Sequence, residues 1–154
     1  MSTLNPEYVK MTCEMATKSS YFSLLSMKLV SFEIGASTIE LEIQQKHLQP
    51  FGVVHGGVFA SVLDAAAFWA VFPELDPTQG MTTVDLKVNY LSPASSGKLI
   101  ARGNRIKMGK TLGLGEGTVY DTSGRVLAHA VSTVIALPNQ NLLNNESLPP
   151  KFID

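Results

Sequence analysis

The sequence predicts an α+β fold: a curved antiparallel sheet wrapped around one long buried helix, with a short helix at the N-terminus. Three observations predict it. Residues 58–72 read VFASVLDAAAFWAVF, apolar on every side, and a helix that is apolar all round is a buried one. Period-two alternation, the mark of half-buried strands, appears both before and after that run. Gly113, Gly115 and Gly117 fall on one face of a single strand, where either the sheet bends sharply or another backbone comes close.

The elements follow in order. Asn5, Pro6 and Glu7 supply a helix cap, a first position and an acidic first turn. Tyr8, Met11 and Met15 then share one face of a short amphipathic helix ending near Lys18. Tyr21 to Leu25 form a further turn or cover an edge of the core. From Met27 the period becomes two. Val30, Phe32 and Ile34 alternate with polar residues, Gly35-Ala36 turns the chain, and Ile39, Leu41 and Ile43 alternate again. After the loop and the buried helix, Pro73 ends the helix and ELDPTQG connects to four strands. In the first, Val84, Leu86, Val88 and Tyr90 alternate with Thr83, Asp85, Lys87 and Asn89. Residues 98–108 and 111–120 pair across a tight turn at Gly109-Lys110, and residues 125–137 close the sheet. Residues 1–137 thus read as one domain, and residues 138–154, polar and proline-containing, as a loose tail.

Composition excludes several classes. A chain of 154 residues with 45% hydrophobic and 16% charged residues is long enough for one sizeable core. Net charge of −1 leaves no electrostatic footprint for nucleic acid. The single cysteine, Cys13, excludes an intrachain disulfide and fits a reducing compartment. No signal-peptide core stands near the start, and the apolar run at 58–72 is too short to span a bilayer. These features predict a cytoplasmic protein that engages no membrane. Three histidines without metal-ligand spacing predict no metal site. The segment MGKT at 108–111 lacks the first glycine of a phosphate loop, since residue 104 is Asn104.

Chemistry concentrates between His47 and Phe72. Only Ser61 and Asp64 interrupt the apolar helix, and a lone carboxylate there is costly unless something pairs with it. Asp64 is therefore the first candidate for a functional group, against the alternative of an Asp bonded to a neighbouring backbone or hydroxyl. His55-Gly56-Gly57 stands where the helix begins. A first helical turn carries free N–H groups and a positive dipole end, and two glycines let a ligand approach closely. Such a place suits an anion, including one that develops only in a transition state. His47 and Gln49 crowd the same loop.

The order of elements, with HLQPFGVVHGGVFASVLDAAA inside it, resembles the hotdog fold, and more narrowly the PaaI-like acyl-CoA thioesterases. Their pattern, H-x-N-x-x-G-x-x-H-G-G with an acid nine residues after the second His and a later V-D-x₇-P-A strand, is matched by His47, Gly52, His55, Gly56, Gly57, Asp64, Val84, Asp85, Pro93 and Ala94. Gln49 stands where Asn is usual, and both side chains present an amide N–H₂ to a carbonyl. The resemblance implies hydrolysis of an acyl-CoA, with CoA as part of the substrate and no separate cofactor. It assigns the Gly56 N–H to the thioester carbonyl and Asp64 to activating water or attacking directly. Gln49 would hold carbonyl or water, His55 would orient the loop and substrate, and Thr83 would hold the water. His47 is expected to cap or pack the loop, and His129 to bond locally. CoA phosphates call for cations at the rim, for which Arg105, Lys107 and Lys110 are the best clustered. Phe51, Phe59, Phe68 and Trp69 suit an apolar or aromatic acyl group and equally suit a core.

Geometry adds a point independent of the family. His55 and Asp64 are nine residues apart, so steps of about 100° set them on opposite faces, roughly 13.5 Å apart along the axis. A two-fold dimer can bring them to one atom by sharing each site between chains. The resemblance likewise implies a homodimer, often paired into a tetramer. Two rivals stay open at this stage: a hotdog 3-hydroxyacyl dehydratase or enoyl hydratase, and a non-catalytic acyl-CoA binding module.

Overall fold

The computed structural model describes residues 3–142 and 145–154. Chain order is β1 (Thr3–Leu4), α1 (Pro6–Lys18), α2 (Ser20–Leu25), β2 (Met27–Glu33), β3 (Ala36–Glu42), α3 (Gly56–Val71), β4 (Gly80–Tyr90), β5 (Lys98–Met108), β6 (Leu112–Tyr120), β7 (Val126–Leu137) and β8 (Phe152–Ile153). β2 to β7 form one antiparallel sheet in the order β2-β3-β5-β6-β7-β4, which curls around α3. The fold is the expected one.

The glycine face explains how closely helix and sheet approach. A Cβ at Gly103 would lie 2.0 Å from the Ala66 carbonyl oxygen, and one at Gly115 would lie 2.9 Å from that of Ala67. One at Gly113 would meet Val71 at 2.6 Å. Gly103 pairs with Gly117 across β5 and β6, so the glycines form a shallow trough. The alanine side of α3 lies in it, with Ala66, Ala67 and Ala70 fully buried. Ser37 Oγ donates to the Ala66 carbonyl at 2.6 Å, adding a polar fastening from β3.

Bulges correct the simple alternation. Between Leu29 and Ser31 the β2–β3 register shifts, so Leu29 and Phe32 are buried while Val30 and Ile34 are exposed. The turn falls on Ile34-Gly35, with Gly35 at φ +86°, rather than on Gly35-Ala36. A second bulge lies between Thr83 and Asp85. It throws Val84 outward and returns Thr83 to the inner face with Leu86 and Val88. Strict alternation had grouped Thr83 with Asp85 and Lys87.

Two further expectations are revised. Pro73 does not stop the chain at once: a 3₁₀ turn over Phe72–Glu74 continues α3, because proline is tolerated in a first turn. Gly56–Glu74 is then 19 residues, long and apolar enough to cross a membrane, although 67% of its most apolar window is buried inside the fold. The tail is not loose where it is described. Gln140 lies against Gly80, and β8 pairs with β1. Lys151 Nζ donates to the carbonyls of Phe72 at 3.0 Å and Leu75 at 2.6 Å, capping the helix end. Burial pulls the Lys151 ammonium down to a pKa of about 8, partly opposed by Asp76. The domain and tail readings of residues 1, 2, 143 and 144 lie outside the described residues.

The two edges of the sheet differ. β2 is covered by α1, and the Leu29 N–H donates to Thr17 Oγ1 at 3.1 Å. Among the described residues β4 pairs only with β7 and leaves its other side open, with Val84 and Tyr90 exposed.

Candidate active site

The helix carboxylate sits where the sequence places it. Asp64 lines a cavity of about 480 Å³ between α3, α2 and β4, together with Thr83, Leu86, Phe68, Trp69 and Tyr21. Thr83 Oγ1 donates to Asp64 Oδ1 at 2.9 Å. Among the described residues, Oδ2 accepts no hydrogen bond. Burial raises the Asp64 pKa above the ordinary carboxylate range, and the Thr83 bond offsets part of that rise. A carboxylate made more basic by its surroundings and held by one oxygen is suited to taking a proton from water.

The second half of the site is the loop before α3. His47 is buried: Nδ1 accepts from the Gln44 N–H at 2.9 Å, so Nε2–H donates to the Leu25 carbonyl at 2.7 Å. It packs and caps the loop, as expected. Gln49 closes a turn with Gly52 at φ +81°, and its Oε1 accepts from the Phe51 N–H. Its amide N–H₂ donates to nothing among the described residues. The Pro93-Ala94 segment fixes the loop, since the Val54 N–H donates to the Ala94 carbonyl at 2.8 Å.

His55 is the N-cap of α3, and its Nδ1 accepts from the Gly57 N–H at 2.8 Å. The Val58 N–H is taken by the His55 carbonyl. Of the first three helical donors, only the Gly56 N–H has no protein acceptor among the described residues. It is the N–H to which the family resemblance assigns the thioester carbonyl, and the cap chemistry around it leaves it unpaired. The Gly57 N–H is committed to His55 Nδ1 and is not a free donor.

Within one chain the two halves stay apart. Gly56 belongs to a separate cavity of about 330 Å³ with Val53, Phe59, Tyr90 and Leu91, and the Tyr90 hydroxyl donates to the Gly56 carbonyl at 3.2 Å. None of His55, Gly56, Gly57 or Gln49 lines the Asp64 cavity. Of the aromatic candidates, Phe68 and Trp69 line that cavity, Phe59 lines the other, and Phe51 is 90% exposed.

The basic cluster does not rim either cavity in the chain. Arg105 forms a two-pronged pair with Glu74, Nε to Oε2 at 2.9 Å and Nη1 to Oε1 at 3.1 Å, fastening β5 to the turn after α3. Lys107 and Lys110 are exposed on the strand and turn beyond it. His129 bonds Glu116 at 3.0 Å across β6 and β7, the local role expected of it. Sequence alone assigns Tyr21 and Ser61 no part in the site, yet both line the Asp64 cavity. Their only signal was a serine at position 61, one helical turn before Asp64 on the same face.

Comparison with known proteins gives the class to which this fold and site belong. The sequence profile of the thioesterase superfamily matches residues 51–128. The chain belongs to that superfamily and is a thioester hydrolase. It is similar to the 1,4-dihydroxy-2-naphthoyl-CoA hydrolase of Listeria monocytogenes, 26% identical over 71% of this chain and 89% of that protein. It is also similar to acyl-coenzyme A thioesterase 13 of Homo sapiens, 30% identical over 62% of this chain and 70% of that protein. A thioesterase from Haemophilus influenzae superposes with a TM-score of 0.79 at 20% identity, covering 92% of this chain and 98% of that one.

Proposed function

We propose that the protein hydrolyses an acyl-CoA to the free acid and CoA, using Asp64 and the Gly56 N–H from two different chains of a dimer. The observation that carries this reading is the Asp64 carboxylate, held by Thr83 on one oxygen inside an otherwise largely apolar cavity. The thioester carbonyl accepts from the Gly56 N–H. Water adds to the carbonyl carbon as Asp64 takes its proton, or Asp64 itself attacks and water then cleaves the anhydride. In either course the C–S bond breaks, and the CoA sulfur leaves as thiolate and is protonated. Gln49 has an amide donor to offer carbonyl or water, and His55 holds the loop. Two relatives are named for CoA thioesters, which supports the substrate class.

The open β4 edge supports the dimer. Thr83 stands at the Asp64 cavity and Tyr90 at Gly56, on the same strand. If two β4 edges pair antiparallel about an axis between Leu86 and Lys87, Thr83 of one chain stands opposite Tyr90 of the other. One chain's Gly56 then approaches the other's Asp64.

A panel of acyl-CoA substrates with a thiol-trapping dye tests the reaction. Free thiol release supports hydrolysis. Loss or gain of enoyl absorbance without thiol would replace it with a hydratase, and binding with neither would replace it with a binding module.

A further inference from the structure

We propose that Tyr21, on α2, sets the largest acyl group the Asp64 cavity accepts; this rests on the acyl-CoA hydrolase reading. α2 has six residues and none of them is buried, yet Tyr21 and Phe22 form one side of the cavity, facing Phe68 and Trp69. It is a single layer, with the cavity on one side and solvent on the other: Tyr21 is 56% exposed and Leu24 is 65% exposed.

That layer is fixed at both ends. Tyr21 Oη lies 2.7 Å from Ser61 Oγ, and Ser61 Oγ donates to the Gly57 carbonyl at 2.8 Å. Because the Ser61 proton is engaged, Tyr21 is the donor to Ser61. The far end of α2 is held by the active-site loop: His47 Nε2–H donates to the Leu25 carbonyl, and Lys46 Nζ donates to Ser26 Oγ at 2.6 Å. Both hydroxyl protons are thus committed, so α2 offers the acyl group the apolar ring faces of Tyr21 and Phe22. An acyl group that outgrows the space between α2 and Phe68 must displace a short helix tied to both α3 and the loop carrying Gln49. The chain therefore favours compact apolar acyl groups.

The test compares wild type, Tyr21→Ala and Tyr21→Phe on straight-chain acyl-CoAs from butanoyl to hexadecanoyl, reading thiol release. A pocket boundary of this kind discriminates by roughly tenfold or more. Tyr21→Ala should raise the hexadecanoyl-to-butanoyl ratio of kcat/KM by about tenfold, and Tyr21→Phe, which keeps the ring and loses the tether, by less. Ser61→Ala should resemble Tyr21→Phe. A ratio unchanged in Tyr21→Ala, with thiol still released, would overturn the assignment and leave the hydrolase reading intact. Absence of thiol release by wild type on any acyl-CoA would remove both.

Discussion

Asp64→Asn should lower kcat by about 10²-fold or more, the range for a lost general base, while substrate is still bound. The substitution keeps shape and keeps an acceptor for Thr83 Oγ1, so the cavity is preserved. Stability should move the other way. Burial holds the Asp64 pKa above its unfolded value, so the ionised carboxylate destabilises the folded state at neutral pH. That penalty is fully present above the folded pKa, shrinks as pH falls through it, and is gone below the unfolded value. The Asn variant should therefore melt higher than wild type near pH 7, with the advantage shrinking in acid. Wild-type kcat/KM should fall along an acidic limb whose midpoint lies above the ordinary carboxylate value of about 3.9. Steady-state kinetics and thermal melts across pH measure both. Near-normal turnover in the variant would remove Asp64 from the chemistry. A variant that failed to fold would make it a structural residue.

The second large effect is on the fold. Gly103→Ala would place a methyl 2.0 Å from the Ala66 oxygen and 2.5 Å from its carbonyl carbon. Both are helix backbone atoms, fixed further by Ser37, so neither can turn aside as a side chain would. Overpacking a core usually costs about 1–3 kcal/mol, and this contact should reach or exceed the upper end. For a chain of this length that corresponds to a melting point lower by roughly 6–12 °C. Gly117→Ala is the control, since its closest neighbours, Leu63 Cδ2 at 3.2 Å and the Leu63 carbonyl oxygen at 3.3 Å, leave far more room than the 2.0 Å at Gly103. A Gly103→Ala variant that melted at the wild-type temperature would show that the trough is not what seats α3.

Much of this was legible in the residues because each signal was local. Alternation gave the strands, the cap residues gave α1, and an all-apolar run broken by one carboxylate gave both the core helix and the catalytic candidate. What escaped depended on neighbours distant in sequence. The bulge at Val84 is invisible to a period-two pattern, yet it decides that Thr83 turns toward Asp64. Gly103 looks like any strand glycine until Ala66 is seen against it. Arg105 looked like a phosphate ligand because its partner, Glu74, lies 31 residues away in another element. The tail looked loose because its docking rests on Lys151, a polar residue held by the Phe72 and Leu75 carbonyls just after α3 and seated over the Phe72 ring.

The shared site is the claim on which the rest turns, because one chain keeps Gly56 and Asp64 in separate cavities. It is tested by refolding two inactive variants together. His55→Ala must first be shown to lose turnover; if it does not, Gln49→Ala takes its place in the same loop. Equal amounts of that variant and Asp64→Ala are then co-refolded, with mixed dimers demonstrated by differential tags. Random pairing makes half the dimers mixed, and in each mixed dimer one site has both residues intact while the other carries both defects. About a quarter of wild-type activity should return. If loop and carboxylate of one chain served the same site, every site would keep a defect, and mixed dimers would form with no recovery of activity.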